Sequence, residues 1–297
     1  MAARAAPSPV DAAALAQRML AAAVESGPAI TGCSGPLPSS RDVAALVDHF
    51  LEALFPGAGH LPAPEDARSG AGLAAQVASI IEGLAQRLDH AVCLGLDRRA
   101  SSSSVSHQEP ARAVTARLLD ALPEIRAALS RDVEAAYQAD PAATCVDEIL
   151  ACYPGLYAVA VYRVANRLLR EGAAIVPRMM TEHAHSRTGI DIHPGATIGP
   201  SFFIDHGTGT VIGQTTVIGS RVRVYQGVTL GAHSVKHRAE TPAGAGVAAR
   251  RHPTIEDDVV IYSNATILGG DTVIGRGAVI GGNAWITYSV PAGVRVG

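Results

Sequence analysis

The segment GIDIHPGATIGPSFFIDHGTGTVIG, residues 189–213, carries apolar residues at a spacing of six. Ile192, Ile198 and Ile204 follow this spacing, but the next residue of the series, Ile212, comes two positions late, after the sequence DHGTG. A spacing of six is neither helical nor simply alternating, and it is typical of a β-helix of triangular cross-section. Each hexapeptide supplies one short strand and one corner, so three hexapeptides make a coil of about 18 residues with its apolar residues pointing inward.

The same spacing continues to the end of the chain, with a one-residue slip in the last coils. The later positions of the series are Ile218, Val224, Leu230, Ile255, Ile261, Ile267, Ile274, Ile280 and Ile286. Two segments interrupt it, DHGTG at 205–209 and AHSVKHRAETPAGAGVAARRH at 232–252. Both contain histidine, and loops on a rigid scaffold are frequent sites of function. The alternative is a β-sandwich with coincidental spacing, which the number of positions in sixes disfavours.

The first part of the chain has a different composition. It is rich in Ala, Leu and Arg, and its apolar residues recur with helical spacing. This pattern predicts helices at 41–54 and 71–95, a further helix after Pro123, and two helices within 140–172. Near residue 185 the composition changes to Val, Ile, Thr and Gly, which marks a domain boundary.

We therefore predict an α+β protein with two segregated domains. An all-α domain covers residues 1–185, with a flexible segment at 1–30 and a polar linker or loop, SSSSVSHQEP, at 101–110. A parallel β-helix covers residues 186–297 and contains the inserted loop 232–252. The composition, with 48% hydrophobic and 17% charged residues, is that of a globular chain long enough for two domains.

Charge and cysteine usage exclude several classes of protein. A net charge of −3, an aromatic content of 4% and the lack of a long Lys/Arg run argue against nucleic-acid binding. No stretch approaches the roughly 18 apolar residues of a membrane span, and the N-terminus lacks a secretory signal pattern. The four cysteines, Cys33, Cys93, Cys145 and Cys152, have no metal-binding spacing and are typical of unpaired thiols in a reducing compartment. We expect a cytoplasmic protein without a bound metal ion.

Seven motifs follow one another along the chain: DPAATCVDE, YPGLYAVAVYR, GIDIHPGATIG, FFIDHGTGTVIG, YQGVTLGA, RRHPTIEDDVVIYSNATILGG and VIGRGAVIGGNAWI. Their content and order resemble those of the serine acetyltransferases, a family of hexapeptide-repeat acyltransferases. The resemblance extends over residues 140–294. It implies a left-handed β-helix, a hand that the spacing alone does not decide. It also implies assembly as homotrimers, or dimers of trimers, with active sites between subunits.

The resemblance implies transfer of the acetyl group of acetyl-CoA to the hydroxyl of L-serine, giving O-acetylserine for cysteine biosynthesis. Serine's hydroxyl needs a base to accept its proton, and histidine suits this task because its unperturbed pKa is about 6.5. His206 of IDHGTG matches the family's general base, and Asp191 of GIDIHPG matches the carboxylate that orients the imidazole. The two are separated by slightly less than one coil, so we expect them on about the same face, one layer apart.

Serine is a zwitterion, so its recognition requires a carboxylate for the ammonium group and cations for the carboxylate. Asp140 of DPAA and Asp205 match the family's ammonium partners. Arg251 and His252 of RRHP match its carboxylate partners. Asp140 could instead cap a helix, because Asp-Pro is a frequent helix start, and both roles are compatible.

Acetyl-CoA, the expected co-substrate, would lie along the outside of the prism, where small residues let backbone groups approach it closely. The positions that match the family's cofactor contacts are Gly231, Ala232, Ser263 and Gly282. Many family members continue into a C-terminal tail that inserts into O-acetylserine sulfhydrylase. This chain ends at VPAGVRVG, which argues against a stable complex with that enzyme.

Three alternatives remain open. The first keeps the fold and changes the acceptor to a sugar or another hydroxyl compound, which Asp140 and Arg251 disfavour because they suit a zwitterion. The second is a metal enzyme in which His193, His206 and His252 gather around an ion at a subunit boundary. The adjacent aspartates lack a metal-like spacing. The third is a non-catalytic or regulatory homologue, which the intact pair of base and orienting carboxylate disfavours.

Overall fold

The structure, a computed structural model, describes residues 13, 17–18, 37–59, 70–96, 108–173, 175–233 and 250–297. In these ranges, the helices with defined bounds are α1 (Ser40–Leu54), α2 (Gly70–Leu96), α3 (Gln108–Asp120), α4 (Leu122–Ala139), α5 (Val146–Cys152), α6 (Pro154–Arg170) and α7 (Ile175–Thr188). The helices predicted at 41–54 and 71–95 are confirmed by α1 and α2, and α4 confirms the helix predicted at Pro123. The two helices predicted within 140–172 are α5 and α6, which meet at Tyr153.

Short parallel strands follow the helices. They are β1 (Asp191–Ile192), β2 (Thr197–Ile198), β3 (Phe203–Ile204), β4 (Val211–Ile212), β5 (Val217–Ile218), β6 (Arg223–Val224), β7 (Thr229–Gly231), β8 (Thr254–Ile255), β9 (Val260–Ile261), β10 (Thr266–Leu268), β11 (Val273–Ile274), β12 (Val279–Ile280), β13 (Trp285–Ile286) and β14 (Arg295–Val296). Sheet 1 has the order β1-β4-β7-β10-β13, sheet 2 the order β11-β8-β5-β2, and sheet 3 the order β14-β12-β9-β6-β3. The chain visits the three sheets in turn, so the predicted parallel β-helix is confirmed.

Strand pairing shows how the coils absorb the interruptions of the repeat. Asp191 pairs with Val211, and Val211 in turn pairs with Thr229, so the first of these coils is longer than the second. The two additional residues of the first coil are those of the DHGTG interruption. Thr266 pairs with Trp285, one position later than a regular coil would place its partner, which accounts for the one-residue slip. Extra residues are therefore placed at corners, and the strands keep their register.

The inward positions predicted from the spacing form the interior of the prism. All of them are buried: Ile192, Ile198, Ile204, Ile212, Ile218, Val224, Leu230, Ile255, Ile261, Ile267, Ile274, Ile280 and Ile286. A single coil cannot cover its own apolar residues, so burial requires stacking on the next coil. The stacked apolar column supplies the hydrophobic stabilisation of this part of the chain.

A buried ion pair joins the helices to the first coil. Arg163 of α6 donates hydrogen bonds to both carboxylate oxygens of Asp132 in α4, at 2.6 and 2.8 Å. Arg163 also donates to the carbonyls of Ile198 and Gly199, and Asp132 accepts from the backbone N–H of Phe202. Burial raises the pKa of Asp132, and the guanidinium of Arg163 opposes that rise. Loss of either partner would leave a buried charge unpaired, so the pair fixes α4 and α6 against the β-helix.

The structure corrects two predicted boundaries. The polar linker predicted at 101–110 ends earlier, because α3 begins at Gln108. The helical part continues beyond residue 185, because α7 ends at Thr188. Gly189 follows with a φ of 72°, a left-handed conformation that glycine adopts without strain and that commonly ends a helix. Helical spacing in the sequence did not show either end, because helix ends depend on local caps.

Some predicted features lie outside the described residues. These are the flexible segment 1–30, apart from residues 13 and 17–18, the linker residues 101–107 and the loop residues 234–249. No helix in the described part of the chain combines the length and the apolar character that crossing a bilayer requires.

Candidate active site

Asp205 and His206 follow β3 at the corner where the chain passes from sheet 3 to sheet 1. We call this the DHG corner, residues 205–209. The backbone is left-handed there, with φ of 55° at His206 and 82° at Gly207. A Cβ atom on Gly207 would collide with the side chains of Ile190 and Ile204, so the turn requires glycine. The turn holds the extra residues outside the regular coil, and the side chain of His206 is 72% exposed.

The imidazole of His206 lies beside a carboxylate. Its Nδ1 is 3.6 Å from Oδ1 of Asp205, a side chain that is largely covered. No described residue forms a hydrogen bond with Nε2 of His206, and the side chain as a whole is mostly exposed. An imidazole with one nitrogen next to a carboxylate and the other free can accept a proton from an external hydroxyl group.

Asp191, which was predicted to orient this imidazole, has different contacts. Its Oδ1 lies 3.5 Å from the guanidinium of Arg178 in α7, and Arg178 also pairs with Glu182. The predicted contact between Asp191 and His206 is not formed in the single chain, where the imidazole pairs with Asp205 instead. The left-handed turn carries the imidazole outward, while α7 provides a nearer cation for Asp191. The orienting role of Asp191 stays a prediction.

Asp140 ends α4, and its carboxylate is held by two donors. Oδ1 accepts a hydrogen bond from the backbone N–H of Ala142 at 2.8 Å, and Oδ2 accepts one from the hydroxyl of Tyr153 at 2.5 Å. The hydrogen bond from Tyr153, followed by that from Ala142 and the charge of His206, lowers the pKa of Asp140. Asp140 therefore caps a turn and also lies within electrostatic reach of His206. Tyr153 was not among the site residues predicted from the sequence.

The predicted carboxylate partners lie at a different corner, between sheets 1 and 2. We call it the RRH corner, residues 250–252. Nδ1 of His252 accepts a hydrogen bond from the Thr215 backbone N–H at 3.2 Å and contacts its hydroxyl at 2.8 Å. Burial, and secondarily the charge of Arg251, lowers the pKa of His252. Arg251 is exposed, and its guanidinium lies 3.4 Å from Oε1 of Gln214.

The DHG and RRH corners lie at opposite edges of sheet 1. The DHG corner precedes β4 of that sheet, whereas the RRH corner follows β7 and precedes β8 of sheet 2. A side of six residues is on the order of 15–20 Å long, several times the length of a serine molecule. The two predicted halves of the serine site therefore do not converge within one chain.

The residues predicted to contact acetyl-CoA divide between the same two corners. Ser263 and Gly282 lie at the same edge of the prism as the DHG corner, between sheets 3 and 1, in two successive later coils. A Cβ atom on Gly282 would be 3.2 Å from the carbonyl oxygen of Ser263. Gly231 and Ala232 lie at the end of β7, towards the RRH corner. All four have small side chains, so the backbone beside them is accessible to a ligand.

The three histidines considered as metal ligands do not gather in one chain. Nδ1 of His193 accepts a hydrogen bond from the backbone N–H of Gly195 at 2.9 Å, and burial lowers the pKa of His193 to about 4. His206 and His252 belong to different corners. Within the described ranges, one group of side chains has the spacing of a cation site: Glu182, His185 and Asp191. Arg178 already pairs with its two carboxylates, so the group offers little attraction to a metal ion.

Fold and site together define a class: a helical region followed by a parallel β-helix that carries an exposed imidazole beside carboxylates at an interrupted corner. No family model matches the chain. The plasmid-encoded serine acetyltransferase of Synechococcus elongatus is 59% identical over 181 residues, which is 61% of this chain and 56% of that relative, so the match spans little more than half of the relative's length. The serine acetyltransferase of Bacillus licheniformis is 44% identical over 164 residues, which is 55% of this chain and 70% of the relative.

Solved structures of serine acetyltransferases are also similar to this chain. Serine acetyltransferase 1 of Entamoeba histolytica, in complex with L-cysteine, superposes with a TM-score of 0.72 at 35% identity, and the match covers 84% of this chain and 85% of that one. The serine acetyltransferase of Neisseria gonorrhoeae, in complex with serine, superposes with a TM-score of 0.54 at 25% identity, and the match covers 85% of this chain and 95% of that one. The chain belongs to the serine acetyltransferase family.

Proposed function

We propose that the chain is a serine O-acetyltransferase, which transfers the acetyl group of acetyl-CoA to the hydroxyl of L-serine and gives O-acetylserine, a precursor of cysteine. The observation that carries this proposal is the DHG corner. An exposed imidazole stands there on a left-handed turn, beside the carboxylate of Asp205 and within electrostatic reach of Asp140. A base next to two carboxylates suits a substrate with a hydroxyl group and a nearby ammonium group.

In the proposed reaction, Nε2 of His206 accepts the proton of the serine hydroxyl as the oxygen attacks the thioester carbonyl. The tetrahedral intermediate then collapses, the C–S bond breaks, and the imidazolium of His206 returns its proton to the thiolate of CoA. A carboxylate stabilises the imidazolium that forms between these steps. Asp205 is in contact with Nδ1 in the single chain, and Asp191 is the predicted orienting group.

We propose that serine binds between two chains. Asp140 and Asp205 of one chain would hold the ammonium group, while Arg251 and His252 of a neighbour would hold the carboxylate. The separation of the DHG and RRH corners supports this arrangement, because one chain cannot present both to one small molecule. A homotrimer of left-handed β-helices, or a dimer of such trimers, repeats the same interface three times around a closed ring.

Acetyl-CoA would lie in the groove between the chains. Ser263 and Gly282 of one chain and Gly231 and Ala232 of the neighbour would contact it through backbone and small side chains. We propose that the helical domain, 1–185 with α7 extending to Thr188, supports trimer pairing, and that the β-helix, 186–297, carries the chemistry. The proposed place of action is the cytoplasm, since Cys145 and Cys152 are exposed thiols outside any disulfide.

The direct test is release of the CoA thiol from acetyl-CoA, measured with L-serine, with L-homoserine and with a panel of sugars. We expect thiol release with L-serine and loss of serine-dependent release in Arg251→Ala through a raised KM for serine. Turnover of a sugar in preference to serine would identify a different acceptor. A flat trace with well-folded oligomers would identify a non-catalytic homologue.

A further inference from the structure

Tyr153 occupies the junction between α5 and α6 and borders the DHG corner. Its backbone N–H donates to the carbonyl of Ile149 at the end of α5, and Pro154 opens α6 directly after it. The ring packs at the edge of the core, and the hydroxyl donates to Oδ2 of Asp140 at 2.5 Å. The side chain is thus anchored in the fold at one end and bonded to a predicted substrate contact at the other.

The start of α6 is fixed against the β-helix by a close backbone approach. A Cβ atom on Gly155 would collide with the carbonyl oxygen of Ile204, so α6 touches the last residue of β3. Asp205 follows Ile204 directly, and Tyr153 lies two residues before Gly155. This contact brings the tyrosine to the DHG corner, where the charge of Asp205 adds to that of Asp140 in raising the pKa of Tyr153.

We propose that Tyr153 is a positioning residue for substrate recognition: its hydroxyl fixes the Asp140 carboxylate so that it faces the ammonium group of L-serine together with Asp205. Each carboxylate oxygen of Asp140 receives one donor, from Tyr153 and from Ala142. A carboxylate oxygen has two lone pairs, so each oxygen can still accept from an ammonium group. This inference rests on the proposed function and adds a determinant of selectivity for amino acids.

The pair also has the protonation states that this task requires. The hydrogen bond to Asp140 raises the pKa of Tyr153, and the same bond lowers the pKa of Asp140. Both shifts reinforce the states that these side chains already hold at neutral pH, a hydroxyl that donates and a carboxylate that is charged. Without the hydroxyl, the carboxylate could rotate in water, and ordering it on binding would weaken affinity for the ammonium group.

Tyr153→Phe removes only this hydroxyl and keeps the packing of the ring. We expect the KM for L-serine to rise about tenfold, near the low end of what a hydrogen bond to a charged group contributes, because the lost hydroxyl acts through Asp140. The KM for acetyl-CoA should stay unchanged. L-Glycerate, which carries a hydroxyl in place of the ammonium group, should inhibit wild type and variant with the same Ki. In an Asp140→Asn background, Tyr153→Phe should produce no further rise in the KM for serine.

The matched control is Tyr162→Phe, which deletes the buried hydrogen bond from Tyr162 to the carbonyl of Ala196 at 2.7 Å. This variant should lose thermal stability and keep its KM for serine. An unchanged KM for serine in Tyr153→Phe overturns the inference. A rise in the Ki of L-glycerate by the same factor as the KM for serine also overturns it. A wild-type enzyme that releases no thiol with serine overturns the proposed function as well, so the two failures are distinguishable.

Discussion

The DHG and RRH corners each present a histidine, and the two histidines have opposite environments. His206 is 72% exposed on a left-handed turn, and among the described residues none bonds its Nε2. His252 is only 8% exposed, and its Nδ1 is engaged by Thr215. A Cβ atom on Gly213 would collide with the His252 ring, so the coil that contains Gly213 packs directly against this ring. The left-handed turn therefore leaves the imidazole of His206 accessible to a substrate, whereas packing against Gly213 and Thr215 covers most of His252.

The largest effect should come from removing the exposed imidazole. His206→Asn deletes the proposed base, and general-base assistance is worth about 10²–10⁴ in rate, so kcat should fall within that range. The side chain is mostly exposed, so the melting temperature should change little. Thiol-release kinetics and thermal unfolding of one preparation measure both quantities. A variant with full kcat would remove His206 from the chemistry.

Mixing two inactive variants tests whether the DHG corner of one chain and the RRH corner of a neighbour form one site. His206→Asn and Arg251→Ala are each expected to be inactive at low serine concentration. When the two are refolded or co-expressed together, about a quarter of the sites in randomly mixed rings should combine an intact His206 with an intact Arg251. Activity should return to roughly that fraction of wild type. Mixed oligomers that stay inactive would place the complete site within one chain.

The roles of the Asp205 and Asp191 carboxylates can be tested separately. Asp205→Asn should raise the KM for serine and lower kcat, about tenfold each, because Asp205 contacts the imidazole and is predicted to bind the ammonium group. Asp191→Asn should lower kcat and leave the KM for serine unchanged if Asp191 orients the imidazole in the assembled enzyme. If Asp191→Asn changes neither parameter, Asp191 serves only to pair with Arg178 in the fold.

The smallest effect concerns stability in acid. Burial lowers the pKa of His252, and it lowers the pKa of His193 from 6.5 to about 4. Below pH 6.5 the unfolded chain therefore binds more protons at these positions than the folded chain, and acid favours unfolding. The melting temperature should fall by roughly 5 °C between pH 6.5 and 4, and less in His193→Gln. A fall of the same size in His193→Gln would assign the sensitivity to other groups.

The sequence predicted the fold well because its signal is local. The inward residues were identified from their spacing alone, since each hexapeptide places one apolar residue in the prism whatever its neighbours do. Helix ends were less accurate, as shown by Gln108 and Thr188, because caps and glycine turns decide them. For the site, the sequence identified the interrupted corner and its histidine, but not the side chains that contact them.

Those contacts depend on groups brought together by packing. A separation of nearly one coil favoured contact between Asp191 and His206, yet the left-handed turn and α7 separate their side chains in one chain. The bond between Tyr153 and Asp140 has no sequence signature, because it depends on how closely α6 approaches β3.

By itself, the sequence determined the coil, its interior and the two places where the repeat is broken, because periodicity acts on neighbouring residues. Only the tertiary structure decided which carboxylate lies beside which imidazole, which histidine is buried, and how far apart the two corners lie. Side-chain contacts of this kind depend on backbone positions accurate to about 1 Å, and such positions result from the packing of helices on coils, which no local pattern encodes.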